Sequence, residues 1–292
     1  MHVAPRTAYD ADVTEHTDAL TSPTLKHLRA QWWTDAFTAF LAESLRPKPG
    51  MRILDVGCGT GTAEVNLARL RLSQLDMVGI DISVPRVSAA LTATRQMNAT
   101  VGFAAADACH VPFPDASFDA TFCVAVLQHI GEVPRALAEC ARVTKPGGKF
   151  LAVEPDNAAR YWFSSLPSGM AAFDKAKQFF AAFASAGRET APAAVGAMIP
   201  GLLPAAGIMP LSVRIFPVFG STLAAPAPAV WEARRKAAQA GIDAAADDNV
   251  RTLGKEFLAA IDDYARDAAA AGSAFVEIQN TLLIATVGQR EE

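Results

Sequence analysis

Three glycines at alternate positions, Gly57, Gly59 and Gly61, follow a short apolar run in the stretch ILDVGCGTG, residues 53–61. Glycine is costly in chain entropy, and it recurs where the backbone must turn tightly or let a ligand come close. The spacing excludes two ligand chemistries. A dinucleotide loop of the G-x-G-x-x-G kind needs its third small residue where Thr62 stands, and a triphosphate loop needs a Lys that does not follow Gly61. Both misfits point away from a phosphate-bearing ligand. Asp55, just ahead of the glycines, agrees with this: a carboxylate repels a pyrophosphate and suits an ammonium or a bound water. Asp81 closes a second apolar run, where a Rossmann-like fold needs a carboxylate for ribose hydroxyls, a role a nicotinamide dinucleotide would use equally well. His129 is the strongest base candidate at neutral pH, and it fits equally a residue that opens a loop and bonds backbone. Glu154 and Asp156 close a later apolar run, placed either to orient an amine or hydroxyl acceptor or to cap a turn. Tyr161, Trp162 and Phe163 follow, as an aromatic lid over an acceptor or as ordinary core.

The elements that must position these residues show in the hydrophobic periodicity. Residues 1–22 are polar and aperiodic, an arm. Leu25, Leu28, Trp32, Phe37, Phe40 and Leu41 recur at helical spacing over 24–45, and RPKPG (46–50) ends that helix. Short apolar strands are expected at MRILDVGC (51–58), MVGIDI (77–82), VGFAAADA (101–108), FDATFCVAVL (118–127) and KFLAVEP (149–155). Helices are expected between them at TAEVNLARL (62–70), 84–97 and 132–144, with KPGG (145–148) as a turn. Apolar strands alternating with helices indicate a parallel sheet covered on both faces. Beyond Asp156 the spacing predicts an aromatic-rich helix over 158–187, a short helix near 194–207, a sixth strand at 211–220, two Ala-rich helices over 228–271 and a final strand at 274–288.

The composition narrows the class. The chain has 292 residues, 51% hydrophobic and 19% charged, with a net charge of −4. That balance offers no broad basic footprint for nucleic acid. Cys58, Cys109, Cys123 and Cys140 form no CxxC pair and no metal-spaced cluster with the histidines, so free thiols and no metal are expected. The N-terminus lacks an apolar segment behind a basic one, and no uncharged apolar run has bilayer length, so a cytoplasmic protein without membrane contact is expected.

Four stretches in order carry a resemblance. ILDVGCGTG, VGIDIS, AADA and the run from FDATFCVAVLQHI to KPGGKFLAVEP resemble the successive motifs of class I S-adenosylmethionine-dependent methyltransferases, in their small-molecule branch. The resemblance covers roughly 50–156 and, by element order, 195–220 and 273–288. It implies an α/β fold: a Rossmann-like seven-stranded, mostly parallel sheet with an antiparallel last strand, helices on both faces and helical cap insertions. The implied organisation is an arm and helix at 1–49, a core of 50–157, 191–222 and 273–292, a helical cap at 158–190 and a helical insertion at 223–272.

By the same resemblance, Asp55, Gly57, Cys58, Gly59 and Gly61 would surround the methionine part of S-adenosylmethionine. Asp81 would hold its ribose, Ile82 would lie against the adenine, and Asp107 and Ala108 would flank the adenine's amino edge. Val124, with Ala125, would line the floor near the methyl group. A sulfonium methyl is already activated, so holding the acceptor in line supplies most of the acceleration, and a base matters only where the nucleophile starts protonated. His129, Glu154 and Tyr161 are the catalytic candidates.

The expected activity is methyl transfer to a small-molecule acceptor. Its alternatives are a non-catalytic S-adenosylmethionine-binding protein and a methyltransferase acting on a macromolecule. The [DN]-P-P-[YFW] turn of nucleic-acid amino-methyltransferases is replaced by CVAVLQH (123–129), which disfavours a nucleic-acid acceptor. The motifs carry nothing on whether N, O, S or C receives the methyl, nor on oligomeric state.

Overall fold

The computed structural model describes residues 31–70, 76–95, 100–185 and 194–292. The expected arm at 1–22 and the first turns of the N-terminal helix lie outside these residues. In chain order the elements are α1 (Asp35–Leu45), β1 (Arg52–Val56), α2 (Thr62–Arg69), β2 (Asp76–Asp81), α3 (Val84–Thr94), β3 (Thr100–Ala105), β4 (Phe118–Val124), α4 (Val133–Val143) and β5 (Thr144–Asp156). There follow β6 (Trp162–Ser164), α5 (Pro167–Ser185), α6 (Val195–Leu202), β7 (Ile208–Thr222), α7 (Pro228–Ala244), α8 (Asp248–Ala271) and β8 (Glu277–Arg290).

The chain divides into two compact units. The larger comprises Trp33–Ala159, Glu189–Val218 and Thr281–Glu292, and the smaller contains Arg160–Arg188 and Phe219–Asn280. In the larger unit the sheet runs β3-β2-β1-β4-β5-β8, and β7 also pairs with β8. All neighbours from β3 to β5 are parallel and β8 is antiparallel to β5. The order reverses between β1 and β4, so a crevice opens beyond their carboxyl ends, where open α/β sheets bind ligands. Strands β1, β2 and β4 are buried nearly throughout, as expected of a sheet covered on both faces. Leu54, Ile80, Phe118, Leu137 and Phe150 lie in one core cluster beside this crevice's strands. Helix α1 begins where the Thr34 hydroxyl accepts from the Phe37 N–H at 3.1 Å, and it buries Phe37, Phe40, Leu41 and Leu45.

In the smaller unit, Phe173, Trp231, Ile261, Tyr264 and Phe275 form one cluster, and Phe179, Ile242 and Val250 a second. Glu277 is buried there and fully partnered. It takes two hydrogen bonds from the Arg234 guanidinium, at 2.6 and 2.9 Å, and one from the Tyr264 hydroxyl at 2.8 Å. No helix of the described residues is long and apolar enough to cross a membrane.

The structure differs from the sequence expectations in three places. The expected helix over 158–187 is split: Trp162–Ser164 instead forms β6, antiparallel to Glu277–Gln279, and α5 starts only at Pro167. An aromatic triplet fits a pleated surface, and Pro is suited to a first helical turn. The sheet therefore has eight strands where seven were expected. KPGG is not a free turn. Phe118 pairs with Thr144 and Ala120 with Lys149, so residues 145–148 are a bulge in β5, with Gly147 at φ +72°. Finally, β3 stops at Ala105, and residues 106–110 fold back instead of extending the strand.

Candidate functional site

The loop after β1 is shaped by its glycines. Gly57, Gly59 and Gly61 have φ of +78°, +55° and +80°, values that a side chain makes costly. Gly57 is also constrained by space: a Cβ there would lie 2.3 Å from a methyl of Val126. At Gly59 nothing lies within 4 Å of that position, so its backbone faces open space. The loop is tied to β2, with the Gly57 and Cys58 N–H groups donating to the Ile80 carbonyl at 2.7 and 2.8 Å.

Asp81 ends β2 and is buried. One carboxylate oxygen accepts from the Gly59 N–H and the other from the Ser83 N–H, each at 2.9 Å. Each oxygen retains a second lone pair for a ligand hydroxyl. The Ser83 hydroxyl is buried beside it without a hydrogen-bond partner among the described residues. Ile82 is exposed next to this pair. Asp107 lies in the fold-back after β3, where it accepts from the Cys109 N–H at 2.8 Å and meets the His110 ring at 3.3 Å. Ala108 is half-buried in the same turn.

Asp55 and Glu64 are buried below the glycine loop, Asp55 on β1 and Glu64 on the first turn of α2. Neither Glu64 oxygen receives a hydrogen bond from any described residue, and the nearby Asp55 carboxyl acts on it electrostatically. Burial pushes Asp55 well above the usual carboxylate range, with Glu64 and then Asp81 adding to it. Burial likewise pushes Glu64 up to about 7. No motif singles out Glu64. Its signal is an acid on the inward stripe of α2 with Ala63 and Leu67.

Beyond β4 the chain is held by Glu154. Val124 is half-buried at the strand's end, and Ala125 takes a φ of +59°, a strained value for a residue with a side chain. A turn of 3-10 helix follows at Leu127–His129. The Glu154 carboxylate, with no exposed surface, accepts from the N–H groups of Val126, Leu127 and Gln128 at 2.9, 2.9 and 3.2 Å. Its oxygens are turned on backbone. These bonds fix the turn that carries Val126 against Gly57. The Gln128 side chain is in turn held by Asn157 at 3.0 Å, a pair that no sequence motif announces. Asp156 caps the following turn by accepting from the Ala158 and Ala159 N–H groups. His129 is exposed on the 3-10 turn. Tyr161 belongs to the smaller unit, where its backbone exchanges hydrogen bonds with Asn280.

All four thiols are free, and Cys58 is buried behind the loop. Burial raises each of them, Cys109 up to about 11 and Cys140 up to about 12, which makes all four poor nucleophiles. Among the described residues no group of three or more His, Cys, Asp or Glu is placed to hold a metal ion.

Residues 54–152 match the family model of a methyltransferase domain, a range that contains the glycine loop, Asp81, Asp107 and the turn after β4. Over these residues the chain is similar to methyltransferase domains. Over 121 residues it is 36% identical to a demethylmenaquinone methyltransferase of Renibacterium salmoninarum, covering 41% of this chain and 48% of that protein. Over 164 residues it is 30% identical to an O-methyltransferase of Pyrenophora dematioidea, covering 50% of this chain and 61% of the other. The chain thus spans about half the length of the curated relatives it matches, and the likeness centres on the methyltransferase domain. A solved structure, the [4+2]-cyclase SpnF, shares the fold over 99% of both chains, at 21% identity and a TM-score of 0.56.

Proposed function

We propose that the protein uses S-adenosylmethionine to methylate a small-molecule acceptor. The observation that carries this reading is the set of polar groups left for a ligand around the glycine loop: the buried Ser83 hydroxyl without a partner among the described residues, the spare lone pairs of Asp81, and the buried Asp55–Glu64 pair. Hydroxyls suit the first two and a cation suits the third. A ribose joined to an amino-acid end combines both, and a pyrophosphate does not. The methyltransferase domain across 54–152 supports the same reading. Fold alone would not carry it, since one fold hosts unrelated chemistries and SpnF is a [4+2]-cyclase.

In this reading Asp81 and Ser83 hold the ribose, Ile82 covers the adenine, and Asp107 with Ala108 meets the adenine edge. Asp55, Glu64 and the loop backbone from Gly57 to Gly61 hold the methionine part. When bound, the cofactor supplies a methyl on a positively charged sulfur, open to in-line displacement. The protein's share is placement. Glu154 fixes the strained turn at Ala125, and that turn sets Val124 and Val126 at the floor of the crevice. His129, at the end of the same turn, takes the acceptor's proton where the acceptor begins protonated.

Calorimetry with S-adenosylmethionine, S-adenosylhomocysteine and NAD tests the cofactor: the first two bind and NAD does not. A screen of hydroxyl, amine and thiol acceptors that detects S-adenosylhomocysteine then tests transfer. Binding without product from any acceptor class favours the non-catalytic alternative, and no binding of either adenosyl compound refutes the proposal.

A further inference from the structure

The Asp55–Glu64 pair carries an inference that rests on the cofactor reading and goes beyond it. Glu64 has no exposed surface and Asp55 is 4% exposed. The groups that face them are Asp81 from β2, Cys58 from the loop and Cys123 from β4, each neutral or negative. No cation among the described residues figures in either carboxyl's environment. Two carboxylates in contact in such a place cannot both be ionised, because neither water nor a counter-ion offsets the second charge. A proton on one of them would supply the hydrogen bond that no described residue gives the Glu64 oxygens. The pair is also continuous with the loop whose Gly59 backbone faces open space.

We infer that Asp55 and Glu64 hold one shared proton in the ligand-free protein and release it to solvent when a ligand's ammonium group docks against them. The balance is simple: the pair goes from one negative charge to two, the ammonium brings one positive charge, and the proton passes to the buffer. No covalent bond changes. Glu64 thereby becomes a specificity residue for the amino-acid end of the cofactor, and it makes cofactor affinity depend on pH. Burial that raises both carboxyls places the change near neutrality. As pH rises, affinity tightens by up to about tenfold per pH unit while the free pair holds its proton, and it levels off once the free pair has lost it.

The test is calorimetry of S-adenosylhomocysteine binding at pH 6, 7 and 8, in two buffers of different ionisation enthalpy. The wild type is expected to release about one proton per ligand at pH 6 and little at pH 8. Glu64→Gln, nearly isosteric, removes one of the two acids and leaves Asp55 raised by burial and by Asp81, so it is expected to bind with reduced proton release and a shallower pH profile. Equal heats in both buffers for the wild type overturn the inference, as does undiminished proton release in the Glu64→Gln variant. The wild-type comparison stands by itself if that variant fails to fold. Absence of any S-adenosylhomocysteine binding by the wild type refutes the cofactor reading itself, a result distinct from binding without proton release.

Discussion

Glu154 separates two roles that differ in what they predict. In the structure its carboxylate takes three backbone N–H bonds at the turn after β4 and is fully buried. Glu154→Gln keeps one acceptor oxygen, which serves Val126 and Leu127, and sets an NH₂ group against the Gln128 N–H. Three charge-assisted bonds become two neutral ones and one clash of donors. At roughly 1.5–3 kcal/mol for a charged bond and about 1 kcal/mol for a neutral one, the expected loss of stability is about 2.5–7 kcal/mol. With a urea m-value of about 2–3 kcal/mol/M, the unfolding midpoint falls by about 1–3 M. Amide exchange at residues 126–128 speeds up in the folded variant, and S-adenosylhomocysteine binding weakens because Val126 no longer sits firmly against Gly57. A Glu154→Gln protein with an unchanged midpoint and unchanged exchange, but with lost turnover, refutes this reasoning and returns Glu154 to the acceptor.

Three further outcomes follow from the site. Asp81→Ala removes the acceptor for the Gly59 and Ser83 N–H groups as well as the proposed ribose contact. S-adenosylhomocysteine affinity is expected to fall by about 1–3 kcal/mol, roughly 5- to 150-fold, read by calorimetry. His129→Ala is expected to lower kcat by about 10²–10⁴ with cofactor affinity intact for an acceptor that begins protonated, read by steady-state rates and binding on one preparation. Stability offers a pH test of Glu64 without ligand. A carboxyl raised in the folded state binds more proton than in the unfolded chain, so wild-type stability falls as pH rises from its unfolded value near 4.5 through about 7. Urea midpoints at pH 5 and 8 show this fall in the wild type and a smaller one in Glu64→Gln.

Much of the larger unit was legible along the chain. Strands buried on both faces are continuous apolar runs, and their alternation with helices leaves few topologies, so β1 to β5 fall close to where periodicity sets them. The glycine loop was legible for a local reason: its positive φ values can be met without cost only by glycine, and its spacing is read directly. The smaller unit was less legible. Trp162–Ser164 became a strand only because Glu277–Gln279 was there to pair with it, and no local pattern announces a partner more than a hundred residues away.

The candidate site divides in the same way. Asp81 was visible from its place at the end of an apolar run, Asp55 from its place ahead of the glycines, and Asp107 from the motif it sits in. The role of Glu154 was decided by three N–H groups that the chain brings back from residues 126–128. The weight of Glu64 was decided by packing, which buried it near Asp55 with no cation among the described residues to offset the pair. Sequence by itself determined which elements form and which loop must bend. Only the tertiary structure decided which carboxylates are already occupied and which are left waiting for a partner, because desolvation and hydrogen bonding depend on what surrounds a group in space, not on its neighbours along the chain.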